Sequence, residues 1–319
     1  MSELLSVVVP VYNEAEVLPQ FHRQVGEVMC AIGSPYELVF VDDGSVDDTA
    51  RVLAGLRAGD QSVAVIALSR NFGKEVALSA GLDHARGEAV IIIDADLQDP
   101  PDLIHEFVRA WREGYDVVYG QRVDRRGDPR FKVLSARWFY RIINYLSDVE
   151  IPRDVGDFRL LSRRAVEALR SLPERRRYMK GLYAWIGFPQ KAVPFVRQPR
   201  AAGATKWNYW RLWNFALEGI TSFSDVPLRV ATYLGIATSG LAFLYGAFLL
   251  VRTLIWGNPV PGYPSLIIVM LFLGGVQLIC LGIIGEYLAR TFQEAKARTL
   301  YFVKEYHPAG GAGHGDAGS

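Results

Sequence analysis

Cysteine is almost absent from this chain of 319 residues, which contains only Cys30 and Cys280. Two cysteines in unrelated segments are too few for the disulfide framework that staples small secreted domains. An excess of charge of either sign is also missing, since 35 Lys and Arg stand against 34 Asp and Glu. A surface this close to neutral argues against a globally basic binding face, and no nucleic-acid partner is expected.

Two nucleotide-binding motifs are missing as well. No G-x-G-x-x-G follows the first apolar run, and the chain contains no G-x-x-x-x-G-K-S/T. These absences argue against a dinucleotide-dependent enzyme and against a P-loop hydrolase. The opening residues lack the basic segment of a signal peptide, so the run SVVVPVY is interpreted as a first strand.

Charge is absent from two long apolar segments, residues 230–251 and 265–285. Each can cross a hydrocarbon core of roughly 30 Å at about 1.5 Å per residue, and their short Gly- and Pro-containing connection predicts a hairpin. We expect spans at about 230–252 and 265–286; the alternative is a helical hairpin buried in a soluble protein. Basic residues flank the hairpin but are missing from its connection, which predicts a multi-pass inner-membrane protein with both termini in the cytoplasm.

What the chain does contain, up to about residue 122, is five short apolar runs that alternate with segments of helical periodicity. Strands apolar on both faces and separated by helices predict an α/β fold, a mostly parallel sheet with helices on both faces. The predicted strands are residues 6–12, 37–43, 63–69, 89–94 and 116–120. Polar residues follow each run, and a ligand crevice is expected where the carboxyl ends of the strands meet.

The segment 206–225 is dense in aromatic residues, with Trp207, Trp210 and Trp213 at steps of three. Such a stripe packs in a core or lies among lipid headgroups, and its place before the apolar segments favours an amphipathic interface helix. The expected organisation is a cytoplasmic α/β domain, this helix, a transmembrane hairpin, a C-terminal strand segment and a disordered tail. Their expected ranges are 1–205, 206–225, 226–290, 291–308 and 309–319.

Three aspartates follow the fourth apolar run, in the stretch AVIIIDADLQDPP. The D-x-D spacing puts Asp94 at the strand end and Asp96 in the turn beyond it, where both carboxylates can reach one hard divalent cation that substrate phosphates complete. Helix capping is the alternative for such acids. It is the preferred interpretation of Asp99, because Pro100 and Pro101 suit a first helical turn.

A second acidic cluster, VDDGS, follows the second predicted strand. Asp43 can accept a hydrogen bond from an N–H group of a nucleobase, while Pro10 and Tyr12 supply a flat surface for the base. The alternative is an Asx-turn that starts the next helix with Asp47 and Asp48.

Six motifs in order, followed by the hairpin, resemble glycosyltransferase family 2 with the GT-A fold over about residues 6 to 305. They are SVVVPVYNE, VDDGSVDDT, RNFGKEVAL, DADLQDPP, GDFRLLSRR and RAAGATKWNYWRLWNF. The resemblance is to the polyisoprenyl-phosphate branch of the family and within it to the GtrB-type undecaprenyl-phosphate glucosyltransferases, which are similar to dolichyl-phosphate mannose synthases.

The resemblance implies a role for each matching residue. The nucleoside pocket would be formed by Pro10, Tyr12, Glu14 and Asp43. The metal and diphosphate site would be formed by Asp94 and Asp96, with Gln98 beside them. Lys74 and Arg122 would make further contacts with the donor. Asp157 matches the position that faces the sugar and the reacting centre. The acceptor phosphate would meet Arg200 and Lys206, with Arg137 as a looser candidate.

The resemblance further implies a reaction: metal-dependent, inverting transfer of glucose from UDP-glucose to undecaprenyl phosphate at the cytoplasmic membrane face. The expected cofactor is Mg2+ or Mn2+. Relatives of this type are tetramers, and the segment 300–306, LYFVKEY, is a predicted strand that could pair between subunits by strand addition. A flippase and another glycosyltransferase would use the lipid-linked sugar downstream.

Three alternatives stay open. The donor could be GDP-mannose, UDP-N-acetylglucosamine or UDP-galactose, because their sugars differ from glucose at single groups and the predicted pocket residues do not distinguish a uracil from a guanine base. A processive polysaccharide synthase shares the N-terminal fold, but it needs more spans and a Q-x-x-R-W motif, and Leu134 stands where Arg137 and Trp138 would require Gln. A non-catalytic membrane scaffold would be marked by loss of the acids, and Asp94, Asp96 and Asp157 are present.

Overall fold

The computed structural model describes residues 3–123, 155–175, 177–196, 226–256 and 262–310. Within these ranges eight strands form one sheet in the order β7-β5-β6-β4-β1-β2-β3-β8. The strands are β1 (Leu5–Val11), β2 (Tyr36–Asp42), β3 (Val63–Leu68), β4 (Ala89–Ile92), β5 (Val117–Arg122), β6 (Val155–Ser162), β7 (Gln190–Phe195) and β8 (Val303–His307). The helices are α1 (Leu18–Ile32), α2 (Thr49–Gly59), α3 (Lys74–His84), α4 (Leu103–Arg112), α5 (Arg163–Ser171), α6 (Met179–Trp185), α7 (Val226–Trp256) and α8 (Tyr263–Ala295).

The five predicted strands are all present, and β1 to β4 pair in parallel as expected. Both faces of the sheet are covered. One face buries Phe21 of α1 and Phe107 of α4, and the other buries Leu78 of α3, Val166 of α5 and Tyr183 of α6. Two covered faces are why these strands are apolar along their whole length.

Strand β6 is an antiparallel element inserted between β4 and β5, and the alternation of runs and helices did not predict it. Because β6 runs antiparallel to its neighbours, its first residues lie at the edge of the sheet where the parallel strands have their carboxyl ends. The pairing of Ile92 with Arg159, continued by two residues on each strand, brings Asp157 opposite Asp94.

Strand β8 confirms that the segment after the hairpin contains a strand. It pairs antiparallel with β3 of its own chain, and Ser69 N donates to Phe302 O at 2.9 Å just beyond it. Because β8 is the last strand of the sheet, its outer edge has no strand beside it among the described residues, and pairing between subunits through that edge stays a prediction. Gly310, predicted in the tail, donates its N–H to Gln61 O at 2.8 Å.

Helices α7 and α8 form the predicted hairpin. By length and composition, Val230–Trp256 and Phe272–Ala295 are each long and apolar enough to cross a membrane. Their large side chains, such as Phe243 and Leu278, are exposed, as expected for surfaces that face lipid. At the end of α8 the carboxylate of Glu294 accepts the N–H of Arg175 at 2.9 and 3.1 Å, which joins the hairpin to the α/β domain. The predicted interface helix, residues 206–225, lies outside the described residues.

Candidate active site

The centre of the carboxyl edge is an ion cluster formed by three separate segments. Lys74, the first residue of α3, places its Nζ 2.7 Å from both carboxylate oxygens of Asp94 and 2.5 Å from Oδ2 of Asp157. Asp94 follows β4, and Asp157 lies near the start of β6. The pairing of these two strands and the position of the first residue of α3 therefore bring the three side chains together. The structure thus brings together three of the residues that the sequence predicted.

Opposite charges keep this cluster ionised. Burial alone would lower the pKa of Lys74, but Asp94 and then Asp157 raise it well above its usual range. Burial alone would raise the pKa of Asp157, whose side chain is only 12% exposed, but Lys74 and then Lys180 hold that pKa well below its usual range. At neutral pH the site therefore contains two carboxylates and one ammonium group in contact.

The turn after Asp94 is strained. Leu97 has φ 56°, in the left-handed region, and its side chain is buried. A non-glycine residue in that region costs on the order of 1 kcal/mol and persists where the surroundings enforce it. The turn is closed by Gln98 N, which donates to Asp96 Oδ1 at 3.1 Å.

Asp94 and Asp96 fit a divalent cation by their chemistry. In the part of the chain that the structure describes, no group of three or more His, Cys, Asp or Glu side chains could hold a metal ion. The protein would thus supply two carboxylates, and the remaining ligands would be oxygens of substrate and water. That is how Mg2+ is commonly held in enzymes that act on phosphate esters.

Asp43 holds the loop that precedes Lys74. Its Oδ1 accepts the N–H of Phe72 at 2.7 Å and its Oδ2 accepts that of Gly73 at 2.9 Å. Burial raises the pKa of Asp43, and the two N–H groups only partly offset this. Gly44, with φ 68°, lies against the backbone of Arg70, where a Cβ would come within 2.5 Å of a carbonyl carbon. In this structure the motif VDDGS fixes the position of the next loop, and a hydrogen bond that Asp43 accepts from a nucleobase N–H group stays a prediction.

Three residues predicted for the nucleoside pocket lie at the end of β1 or just after it. Tyr12 is 38% exposed, while Pro10 and Glu14 are partly buried. Glu14 donates its N–H to Thr49 Oγ1 at 3.0 Å, which ties this loop to the start of α2.

Asn13, one of the polar residues that follow β1, was not among the predicted site residues, and it joins this loop to the segment after β2. It has φ 56°, and its Oδ1 accepts the N–H of Val46 at 2.9 Å while its own N–H donates to Ser45 Oγ at 3.0 Å. Asn tolerates the left-handed region better than other side chains do. An Asn directly after a strand was the signal available in the sequence.

Arg122 ends β5 beside the same crevice. Its Nη2 lies 3.9 Å from Oδ1 of Asp99 and 3.1 Å from the position that a Cβ of Gly156 would take. Asp99 is buried and α4 begins at Leu103, with Asp102 at the cap position, so the interpretation of Asp99 as a helix cap is wrong. The reason is that the two prolines form a turn before the helix, in which Leu103 N donates to Pro100 O.

Behind Asp157 lies a second layer of charged and polar side chains, which was not predicted from the sequence. Its members are Glu75, which accepts the N–H of Met179 at 3.3 Å, and Lys180, Arg159 and Tyr183. The predicted acceptor residues Arg137, Arg200 and Lys206 lie outside the described residues.

Glu75 predicts a pH dependence of stability. Burial, and then the charge of Asp157, raise its pKa from 4.5 to about 8. Because the pKa is higher in the folded state than in the unfolded state, protonated Glu75 contributes to the free energy of unfolding. This contribution is complete below pH 4.5 and is lost as the pH rises through about 8. Glu75→Gln removes this loss, so between pH 6 and pH 9 its melting temperature in detergent should fall less than that of the parent chain. The exposed control Glu167→Gln should fall like the parent, and an equal fall for Glu75→Gln would contradict the assignment.

Comparison with protein families places this site in a known context. Residues 6–170, slightly more than half of the chain, match the family model of glycosyl transferase family 2. The chain belongs to glycosyltransferase family 2. Residues 226–291 of this family 2 glycosyltransferase match a second model, the GtrB C-terminal hairpin, which covers α7 and most of α8. The resemblance stated from the motifs is confirmed, and so is the expectation of an enzyme.

Relatives of the family 2 glycosyltransferase match it from end to end. An uncharacterised glycosyltransferase of Synechocystis sp. is 52% identical over 94% of this chain and 95% of its own length. The prophage-derived bactoprenol glucosyl transferase of Shigella flexneri is 49% identical over 95% of this chain and 98% of its own. A solved structure, glucosyl-3-phosphoglycerate synthase of Mycobacterium tuberculosis with Mn2+, UDP-glucose and phosphoglyceric acid, is 21% identical over 69% of this chain and 78% of its own, with a TM-score of 0.46.

Proposed function

We propose that this glycosyltransferase moves glucose from UDP-glucose to a polyprenyl phosphate such as undecaprenyl phosphate. The observation that carries the proposal is the 49% identity to a bactoprenol glucosyl transferase over nearly the full length of both chains. That identity extends over the charged crevice and over the apolar hairpin, and a sugar transfer to a membrane lipid needs both.

Asp94 and Asp96 would hold a divalent cation, Mg2+ or Mn2+, and the donor diphosphate would bind beside them. When bound, the cation stabilises the negative charge that develops on the leaving diphosphate. We assign Lys74, Arg122 and Gln98 to the donor phosphates and sugar. Pro10, Tyr12, Glu14 and Asp43 are proposed for the nucleoside.

The acceptor needs no strong base. A phosphate monoester has a second pKa near 6, so its attacking oxygen is already largely anionic at neutral pH. The low pKa of Asp157 keeps that side chain ionised, which suits a group that holds Lys74 and orients the sugar. The barrier lies in bringing two anions together, and we assign Arg200 and Lys206, with Arg137, to the acceptor phosphate. A single displacement would invert the anomeric carbon.

The membrane arrangement follows from the hairpin. We propose that α7 and α8 span the inner membrane, with both termini and the α/β domain in the cytoplasm, and that the chain forms a homotetramer. The outer edge of β8 is the surface that we propose for pairing between subunits. A flippase and a further glycosyltransferase would consume the lipid-linked glucose.

The test is a transfer assay with the full chain in detergent, undecaprenyl phosphate, Mg2+ or Mn2+, and radiolabelled nucleotide sugars. We expect organic-phase label from UDP-glucose at a rate at least about tenfold above UDP-galactose, UDP-N-acetylglucosamine and GDP-mannose. Omission of the lipid phosphate is the control and should remove the product. Label from another donor would correct the sugar, and no product from any donor would refute the enzymatic proposal in favour of the scaffold alternative.

A further inference from the structure

Arg159 is a buried cation that the proposed reaction does not use. It is 3% exposed and lies on β6 two residues after Asp157, so both side chains are on the same face of the strand. Among the described residues, no carboxylate lies within ion-pair distance of its guanidinium. An arginine buried without an ion pair is costly unless its donors are satisfied.

The donors of Arg159 are directed at the backbone that carries Asp157. Its Nη2 donates to Gly156 O at 2.8 Å and its Nε to Asp157 O at 3.4 Å. Its Cζ lies 3.6 Å from the ring centroid of Tyr183, a stacked cation–π contact. Tyr183 is buried, and its hydroxyl has no hydrogen-bond partner within the described part of the chain. The ring face is therefore the part of Tyr183 that Arg159 uses.

This backbone lacks the usual support of a strand. On one side the ladder to β4 ends at the pair of Ile92 and Arg159, and on the other the register to β5 shifts between Tyr119 and Gln121. Regular pairing is thus interrupted on both sides of Gly156 and Asp157, whose partly buried carbonyls still need hydrogen-bond donors. The guanidinium supplies them from within the same strand.

We propose that Arg159 is a positioning residue of the active site. Stacked on Tyr183, it clamps the carbonyls of Gly156 and Asp157 and so fixes the Asp157 carboxylate on Lys74, at the reacting centre. The inference rests on the proposed role of Asp157. It concerns the reacting end of the substrate and leaves the nucleotide contacts unchanged.

The chemistry of the clamp predicts a ranking of variants. The planar guanidinium of Arg159 reaches both carbonyls at once through Nε and Nη2. A Lys ammonium is a compact point charge, so Arg159→Lys keeps the positive charge but cannot hold both carbonyls in the same way. Arg159→Met removes both. Tyr183→Phe keeps the ring face, whereas Tyr183→Leu removes it.

The experiment measures kcat, KM for UDP-glucose and UDP-glucose binding for these variants in the full chain. We expect Arg159→Met to lower kcat by about 100-fold and Arg159→Lys by about tenfold, because small displacements of a reacting group cost that much. KM and binding should stay within about threefold of the parent, since the nucleotide site is not altered. Tyr183→Phe should match the parent, and Tyr183→Leu should lower kcat by about tenfold. The surface control Arg51→Met should change nothing.

Asp157→Asn separates the possible failures. If Asp157→Asn keeps parental kcat, the proposed role of Asp157 fails and the clamp loses its purpose. If Asp157→Asn is inactive while Arg159→Met and Arg159→Lys keep parental kcat, the clamp alone is refuted. Should Arg159→Met not fold, Arg159→Lys and Tyr183→Leu decide the matter: reduced kcat with parental KM supports the clamp, and parental kcat overturns it.

Discussion

Asp94→Asn and Asp96→Asn are each expected to lower sugar transfer by about 10³-fold, the largest effect of any substitution considered for this glycosyltransferase. Asn keeps the size and shape of Asp but loses the negative charge with which a carboxylate binds a hard divalent cation. Asp94 follows β4, and Asp96 lies in the turn that the left-handed Leu97 completes, so both carboxylates stand at the end of the same strand. The rate is measured with UDP-glucose and lipid phosphate across a titration of Mn2+.

The two variants should differ in one respect. Asp96 makes a local contact with Gln98 N, whereas Asp94 also binds Lys74. High Mn2+ should therefore restore part of the transfer by Asp96→Asn and less of that by Asp94→Asn. The exposed Asp48→Asn is the matched control and should transfer at the parental rate. Parental rates for both site variants with the metal chelated would contradict the assigned metal site.

The parallel part of the fold could be predicted from the sequence because its signals are local. Each of β1 to β5 is an apolar run beside a helical segment, and a run buried on both faces is visible without any knowledge of its neighbours. The hairpin is visible for the same reason, through length and absence of charge. The two acids of the D-x-D motif directly follow the apolar run of β4, so their position at the end of a strand could also be predicted.

What could not be predicted depends on pairing between distant segments. Strand β6 carries Arg159 inside an apolar stretch, and its place between β4 and β5 is set by contacts with residues far away in the chain. The contact of Lys74 with Asp157 needs that register and also the start of α3. Asp99 was misinterpreted because a local rule for prolines at helix starts competes with an ion-pair distance to Arg122 that only the fold creates.

Lys74→Met is the second substitution with a large expected effect, a loss of transfer of about 100-fold. The Nζ of Lys74 contacts two carboxylates at once, those of Asp94 and Asp157. Without it, two like charges face each other in a partly buried site, and the pKa of Asp157 should rise. The acidic limb of the pH–rate profile should then move to higher pH. Lys191→Met, which breaks a surface ion pair with Glu113, is the control and should leave the profile in place.

A double-variant cycle tests whether Lys74 acts through Asp157. In Asp157→Asn a neutral amide replaces the carboxylate, so Lys74 has only the negative charge of Asp94 to compensate. Lys74→Met should therefore cost less in that background than in the parent, and groups in direct contact are the ones that show such non-additivity. If the losses multiply, Lys74 serves the donor phosphates independently of Asp157. If they do not multiply, transfer requires the intact ion pair between Lys74 and Asp157. Asp43 then contributes indirectly, because it binds the loop that precedes Lys74.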